Sequence, residues 1–208
     1  MAGRKLFVTL LGCVGAAGVA VAAPTDPPTL RTYNIPSAAM EPTLEPGDMV
    51  LARRSLGACG TITPKPGEVI FHHKPREPGA MFVKRVVAGP GSTVSMSHKR
   101  LSINGKPVAR AAAGTYEVDN QGSNSKAQVF RETLPNGASY LTMDLAPNGP
   151  FDDVAPIKLG ADQWYALGDS RDNSLDSRLD GPVAQKDICG VAIAILMSKD
   201  MQRVGKKP

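Results

Sequence analysis

Short runs of β-prone residues, separated by turn-forming residues, recur along the chain from residue 33 onward. Each run is three to ten residues long, which is the length of a strand. The 208-residue chain also contains 21 glycines and 18 prolines, a content that favours turns over long helices. Asn104-Gly105 lies between two runs and is typical of a tight hairpin, and Asn136-Gly137 is a second candidate turn. We therefore predict a mostly β fold of antiparallel sheets, with strands at residues 49–52, 68–71, 81–88, 93–96, 101–103, 163–167 and 188–197.

The stretch from about residue 109 to 159 differs from its surroundings. It is richer in polar residues, Gly, Asn and Pro, and its apolar positions show only weak periodicity. A chain of 208 residues fits one domain that carries a smaller insert. We predict a main β domain at residues 25–98 and 160–200, an inserted β-rich subdomain at 99–159, and a loose basic tail at 201–208.

Residues 6–23 form an uncharged apolar segment, preceded by Arg4 and Lys5 and followed by Pro24. As a helix this segment would be about 27 Å long, slightly short of a bilayer core of about 30 Å. A cleavable signal peptide is the alternative, because residues 20–22 resemble an A-x-A cleavage site. In both cases the basic residues keep the N-terminus in the cytoplasm and the rest of the chain outside it. We predict that residues 1–24 are a hydrophobic helix that serves as a membrane anchor or a signal segment.

The chain has three cysteines, and the apolar segment contains Cys13, which is interpreted as a small hydrophobic residue. Cys59 and Cys189 remain, and an oxidising compartment would allow them to form a disulfide. Two buried free thiols are the alternative. The sequence leaves both open, because it does not give the distance between their Cα atoms.

The chain lacks the motifs that several functional classes require. The formal net charge is +5, but the excess of basic residues lies at the two ends, and no aromatic-basic motif or zinc finger accompanies it, so we expect no nucleic-acid partner. There is no HExxH, no CxxC and no spaced Cys/His cluster, so no metal site is predicted. The adjacent His72 and His73 would point to opposite faces of a strand, and we expect both to be partly exposed.

Three segments together carry the functional signal: IPSAAMEPTLEPGDMVL at residues 35–51, MFVKRVVAGPGSTV at 81–94 and ALGDSRDNSLDSR at 166–178. They resemble the type I signal peptidase (leader peptidase) family, membrane-anchored serine proteases that remove signal peptides from exported proteins. Three shorter segments fit the family in the same order: PKPGEVIF at 64–71, NGKPV at 104–108 and ETLPNG at 132–137. The resemblance covers roughly residues 33 to 200 and implies antiparallel sheets of the signal-peptidase type, with the main β domain as the catalytic one.

The resemblance implies a serine nucleophile with Lys84 as its general base, and neither a metal nor an organic cofactor. An ordinary lysine ammonium has a pKa near 10.4, so a lysine base has to be buried to lose its proton near neutral pH. On a strand, Phe82 and Val86 would share the face of Lys84 and supply apolar surroundings.

The nucleophile position departs from the family pattern. The family has P-S-x-S-M, whereas this chain has Pro36-Ser37-Ala38-Ala39-Met40, so Ala39 stands where the attacking serine is expected. The resemblance assigns Ser37 to the oxyanion hole, together with the backbone N–H of residue 39, which an alanine retains. Either a serine was deliberately replaced, or the chain is a natural pseudoenzyme. The remaining catalytic segments are intact, which favours replacement.

By resemblance, the third segment, residues 166–178, would position the general base Lys84. By resemblance, Ser174 hydrogen-bonds Lys84 and orients its amine. Asp169, Asp176 and Arg178 would brace the surrounding loop by ion pairs and hydrogen bonds.

The implied substrate is an extended preprotein segment with small residues, usually Ala, one and three positions before the cut. The edge of the strand beside Phe82 and Val83 would bind its backbone. Shallow pockets for its side chains are expected near Ile35, Pro36, Met40 and Leu44.

The resemblance also implies partners and a location. The partners are preprotein signal peptides and membrane lipid, and the location is the bacterial inner membrane, crossed once, with the catalytic domain on the periplasmic side. The alternatives are a non-catalytic pseudoprotease that binds preproteins and a specialised peptidase that matures pilus or secretion subunits. The sequence does not predict an oligomeric state.

Overall fold

The computed structural model describes residues 29–54, 58–75, 77–120 and 123–208. Every pair of named strands in these ranges is antiparallel, as the sequence predicts, and the fold is mostly β. The hydrophobic helix predicted for residues 1–24 lies outside the described residues. Among the residues that are described, no helix has the length and apolar character needed to cross a membrane.

The strands in these ranges are numbered in chain order: β1 (Thr29–Asn34), β2 (Met49–Arg54), β3 (Val69–Lys74), β4 (Glu77–Ala88), β5 (Thr93–Ser97), β6 (Arg100–Ile103), β7 (Lys106–Pro107), β8 (Ala109–Asn120), β9 (Ser123–Thr133), β10 (Ser139–Asp144), β11 (Val154–Lys158), β12 (Gln163–Leu167), β13 (Val183–Ala184) and β14 (Ile188–Met197). The helices are α1 (Ser177–Asp180) and the 3-10 helices Ala38–Met40, Gln185–Asp187 and Met201–Arg203.

The main sheet has seven strands in the spatial order β1-β2-β14-β3-β4-β12-β13. All seven strands predicted from the sequence are present, five of them in this sheet. Asn104 and Gly105 form the predicted hairpin turn between β6 and β7, with φ values of 53° and 73°. Both residues tolerate a positive φ, which a two-residue hairpin of this type requires.

Two smaller sheets contain the remaining strands, in the orders β11-β5-β6-β7 and β10-β9-β8. The long pair β8 and β9 was not predicted, because β8 consists mainly of exposed small and charged residues without apolar alternation. It is a strand because it pairs with β9 along nearly its whole length. The predicted domain boundaries themselves stay a prediction.

Val83 and Val86 lie on opposite faces of β4 and belong to different hydrophobic clusters. Val83 packs in a cluster with Phe71, and Val86 packs in a cluster with Ile70. Because side chains alternate along a strand, Lys84 lies on the face of Val86, and Arg85 lies on the face of Val83. The two neighbouring cations therefore enter different parts of the molecule.

The structure decides between the two alternatives for the cysteines. Cys59 and Cys189 form a disulfide with an S–S distance of 1.99 Å. The bond joins the segment after β2 to the start of β14, across a sequence separation of 130 residues.

The C-terminal segment is not the loose tail that we expected. Arg203 forms ion pairs with Asp48 and Glu45 at 2.9 Å each, and the Gly205 N–H donates to the Ile195 carbonyl at 2.8 Å. Acidic residues in the loop before β2 and a backbone bond to β14 thus hold this segment, and the prediction of a loose tail was wrong.

Candidate active site

Lys84 is buried in β4, with only 5% of its surface exposed. Burial is the main cause that lowers the pKa of its ammonium from 10.5 to about 8. The Asp176 carboxylate opposes this shift, and the nearby Lys74 ammonium adds to it. A lysine with this pKa can accept and return a proton near neutral pH, which is the property that a general base needs.

Gly168 is the point where the three sequence segments meet. A Cβ added at Gly168 would lie 2.6 Å from the Ala39 carbonyl oxygen and 2.2 Å from Ser174 Oγ, so only glycine permits this approach. The β4–β12 pairing ends with Leu167 opposite Arg85, and the next register position would set Gly168 beside Lys84. The 3-10 helix that contains Ala39, strand β4 and the 168–174 loop are therefore neighbours.

A buried ion pair fixes the start of this loop. Arg85 donates to both carboxylate oxygens of Asp169, from Nε at 2.8 Å and from Nη2 at 2.6 Å. Burial opposes the charge of Arg85, but the Asp169 carboxylate outweighs it and raises the pKa of the guanidinium. Bidentate pairs of this kind restrict orientation strongly. Ser170, the next residue, donates its N–H to the Ala39 carbonyl at 3.2 Å.

A second pair fixes the end of the loop. Asp176 accepts hydrogen bonds from the Gly168 N–H at 2.9 Å and from Arg178 Nε at 2.9 Å, and it caps α1. Burial alone would raise the pKa of Asp176, but the hydrogen bonds and charge of Arg178 lower it. Asp169, Asp176 and Arg178 thus make the contacts expected of residues that brace the loop.

The predicted hydrogen bond between Ser174 and Lys84 is not formed. Lys84 Nζ donates to the carbonyl of its own neighbour Val83 at 2.9 Å. The buried Ser174 Oγ has no hydrogen-bond partner in the described part of the chain. The ammonium thus binds the closest carbonyl on its own strand, and the Ser174 hydroxyl remains beside Gly168.

The sequence model of a family described as signal peptidase, peptidase S26, matches residues 4–197 of the chain. The chain belongs to the signal peptidase family. Signal peptidase I of Pseudomonas fluorescens is 33% identical over 174 residues, which cover 78% of this chain and 60% of that protein. Signal peptidase I of Pseudomonas aeruginosa is 31% identical over 190 residues, which cover 81% of this chain and 65% of that protein.

Signal peptidase I of Rickettsia bellii is 33% identical over 124 residues, which cover 57% of this chain and 42% of that protein. The chain therefore spans 42% to 65% of the length of these relatives. A solved structure of a signal peptidase I from Enterococcus faecalis V583 matches 62% of this chain and 97% of that chain, with a TM-score of 0.37 and 22% identity.

This signal peptidase family member carries Ala39 at the position where the family resemblance places a serine. Ala39 lies in the 3-10 helix Ala38–Met40 and is 9% exposed. Ser37, the residue before this helix, is exposed, and its side chain makes no capping hydrogen bond to the helix. The Ser37 hydroxyl is therefore not engaged in capping the helix.

The residues expected to line substrate pockets lie mostly in the hydrophobic core. Ile35, Met40 and Leu44 are fully buried in the cluster that contains Val83, whereas Pro36 is exposed. The three buried side chains pack against residues of β2 and β14, and the shallow pockets expected near them stay a prediction. Their contact with a substrate stays a prediction.

Phe82 is partly buried, with the Lys74 ammonium 4.2 Å from its ring centre. The edge of β4 beside Phe82 is available for the expected binding of an extended peptide. β3 pairs with β4 from Glu77 to Arg85, whereas the pairing with β12 begins only at Arg85. In the described ranges, the Glu77–Lys84 part of β4 therefore has a strand partner on one side only.

A cavity of about 420 Å³ lies beside Lys84, on its own face of the sheet. It is lined by side chains that sequence reasoning did not select, among them His72, Lys74 and Asp180. His72 is buried, contrary to the expected partial exposure, and burial lowers the pKa of its imidazole to about 4. An imidazole with this pKa is neutral at physiological pH, so it adds no charge beside Lys84.

Sequence reasoning also missed a buried pair that joins β9 to the 168–174 loop. Arg171 Nη1 and Nη2 donate to the two oxygens of Glu132 at 2.8 Å and 2.6 Å. Tyr140 donates its hydroxyl to the same carboxylate at 3.1 Å. Glu132 begins the ETLPNG segment and Arg171 lies in the 166–178 segment, so their place in the family pattern was the available signal.

Proposed function

We propose that this chain is a signal peptidase scaffold that binds preprotein signal peptides and cleaves them after small residues when residue 39 is a serine. With Ala39, the chain lacks the attacking oxygen and would bind a signal peptide without cleaving it. The observation that carries the proposal is the buried Lys84, whose lowered pKa suits a base, beside the loop that holds the Ala39 carbonyl.

The proposed reaction needs two protonation states of Lys84. In an Ala39→Ser chain, the introduced hydroxyl oxygen would attack the scissile carbonyl carbon while its proton passes to the neutral Lys84 amine. The resulting ammonium would return this proton to the departing amine, which leaves an acyl-enzyme. Lys84 would then take a proton from water as the water oxygen attacks the acyl carbon. It would return that proton to the serine oxygen as the ester bond breaks, which releases the carboxylic acid and restores the serine.

Oxyanion stabilisation would come from the backbone N–H of residue 39 and the exposed Ser37 hydroxyl.

Two further features support the proposed substrate class and the proposed cellular location. The Glu77–Lys84 edge of β4 offers backbone groups to an extended peptide, as in strand addition. The Cys59–Cys189 disulfide suits an oxidising compartment outside the cytoplasm, in agreement with the apolar segment at residues 6–23. We therefore place the catalytic domain on the outer side of the bacterial inner membrane, next to membrane lipid.

A preprotein-binding pseudoprotease is the second candidate, and the alanine at position 39 is the observation that favours it. In that case the same scaffold would hold a signal peptide without cutting it.

The test compares three full chains on a preprotein with an A-x-A site: the unmodified chain with Ala39, the Ala39→Ser variant, and the Ala39→Ser variant that also carries Lys84→Met. Met fills the buried space of Lys84 without an amine. We expect cleavage only by Ala39→Ser, and binding of a labelled signal peptide by all three. Binding without cleavage by Ala39→Ser would support the pseudoprotease, and cleavage by the double variant would refute the role of Lys84.

A further inference from the structure

The Cys59–Cys189 disulfide lies against a histidine that the proposed reaction does not use. The two sulfur atoms and a ring nitrogen of His73 all lie within 4.8 Å of one another. Cys189 and His73 lie on the paired strands β14 and β3, and the Gly60 N–H, next to Cys59, donates to the Ile188 carbonyl at 2.7 Å. Because these residues are far apart in the sequence, no spaced Cys/His motif indicated their meeting, and no metal site was predicted.

A backbone carbonyl fixes the imidazole of His73. Its Nδ1 lies 2.9 Å from the Ala80 carbonyl oxygen. Since a carbonyl oxygen can only accept, Nδ1 carries the hydrogen, and the neutral ring keeps its lone pair on Nε2. Metal-binding histidines are held in this way, with the second ring nitrogen donating to a carbonyl or carboxylate.

The oxidation state of the cysteines decides whether the three groups can act as ligands. The thiolate, rather than the disulfide sulfur, is the form that ligates a metal. A dithiol reductant would transfer two electrons and two protons to the S–S bond, giving two thiols while it becomes a disulfide itself. A metal ion then displaces the two thiol protons as it binds.

We propose that reduction converts this disulfide into a Zn²⁺ site whose protein ligands are the sulfur atoms of Cys59 and Cys189 and the imidazole of His73. Two thiolates and one imidazole suit a thiophilic divalent ion and leave one tetrahedral position for water. The oxidised chain does not bind the ion, because its sulfurs are already bonded to each other.

The surroundings provide access for the ion and water. Cys59 and His73 are partly exposed, whereas Cys189 is buried. His73 and Asp187, two residues before Cys189, line the cavity of about 420 Å³ that also contains Lys84. A cavity of this size holds water, and the Asp187 carboxylate favours entry of a cation. Of the three proposed ligands, His73 lines this cavity and the two cysteines do not, so the cavity reaches the site at His73.

The experiment uses the full chain in detergent with Cys13→Ser, so that the disulfide supplies its only thiols. Protein reduced with a phosphine and protein left oxidised are titrated with Zn²⁺ against a chromophoric chelator. We expect one Zn²⁺ per reduced chain and none per oxidised chain. His73→Ala should weaken binding by more than about tenfold, whereas the matched control His98→Ala, at an exposed histidine, should leave it unchanged.

A second measurement identifies the ligands. Co²⁺ added to the reduced chain should give thiolate-to-metal charge-transfer absorption, which Cys59→Ala with Cys189→Ala should abolish. If reduction unfolds the chain, Zn²⁺ should restore its far-UV circular dichroism and thermal transition. Equal Zn²⁺ binding by reduced and oxidised chains, equal binding by His73→Ala and its parent, or an unfolded reduced chain that Zn²⁺ does not refold would each overturn the proposal.

Discussion

At the scale of single residues, the burial of Lys84 has a consequence that depends on pH. A base acts in its neutral form, and burial lowers the pKa of Lys84 to about 8, so the active fraction increases as pH rises through that value. In the Ala39→Ser chain we expect kcat/KM to rise from about pH 6 and to level off above about pH 9. A pH–rate profile on a preprotein measures this, and a constant rate over that range would contradict the assignment of Lys84.

Gly168 allows a second prediction at this scale. Its missing Cβ leaves space for the Ala39 carbonyl and Ser174 Oγ, so Gly168→Ala would push these groups apart. We expect the free energy of unfolding to fall by about 1–3 kcal/mol. In the Ala39→Ser background, kcat should fall as well, because residue 39 and the loop no longer fit together.

Gly160→Ala is the matched control for this change. A Cβ at Gly160 would meet only the flexible side chain of Gln163, at 3.3 Å or more. Urea unfolding of both variants gives the comparison. Equal losses of stability would show that the contact at Gly168 is not the constraint that we infer.

At the scale of elements, the Glu132–Arg171 pair joins β9 to the 168–174 loop. Both side chains are 1% exposed, and the carboxylate outweighs burial and raises the pKa of the Arg171 guanidinium. Glu132→Gln would leave a buried guanidinium without its counter-charge, which costs about 3–5 kcal/mol of unfolding free energy. Glu117→Gln is the control. Glu117 pairs with Lys126 in the same β8–β9 hairpin, and each of these two side chains is 69% exposed.

Chemical unfolding of the two variants measures this difference. The exposed pair should contribute no more than about 1 kcal/mol. A loss for Glu132→Gln as small as that for Glu117→Gln would mean that the buried pair does not hold the loop to β9.

The elements differ in how far the sequence could predict them. Strands such as β4 and β14 were predictable because apolar, β-prone runs end at turn residues. β8 was not, because its pairing with β9, and not its own burial pattern, makes it a strand. The contacts of the C-terminal segment, residues 201–208, were not predicted for a similar reason. Arg203 meets Asp48 and Glu45 only after the chain has folded.

At the scale of the whole molecule, the candidate site depends on contacts between distant segments. Family motifs in the sequence indicated Lys84, Ala39 and the 166–178 loop, but not how these meet. The bridge from Met143 of β10 to Ser170, together with the Ser170 N–H bond to the Ala39 carbonyl, connects the β10-β9-β8 sheet to residue 39. The hydrogen bond from Ser174 to Lys84 was inferred from the family resemblance and is not formed, since Lys84 Nζ donates to the Val83 carbonyl instead.

The Cys59–Cys189 disulfide is the longest-range covalent constraint in the described part of the molecule, with a separation of 130 residues. Closing so large a loop restricts the unfolded chain, so its removal should lower the free energy of unfolding by about 2–5 kcal/mol. We expect this loss for Cys59→Ala with Cys189→Ala in a Cys13→Ser parent, measured by urea unfolding with a chelator present. Chemical reduction of the parent should give the same loss, because both treatments open the same loop. A double variant as stable as its oxidised parent would show that hydrogen bonds such as Gly60 N–H to Ile188 O hold this segment without the disulfide.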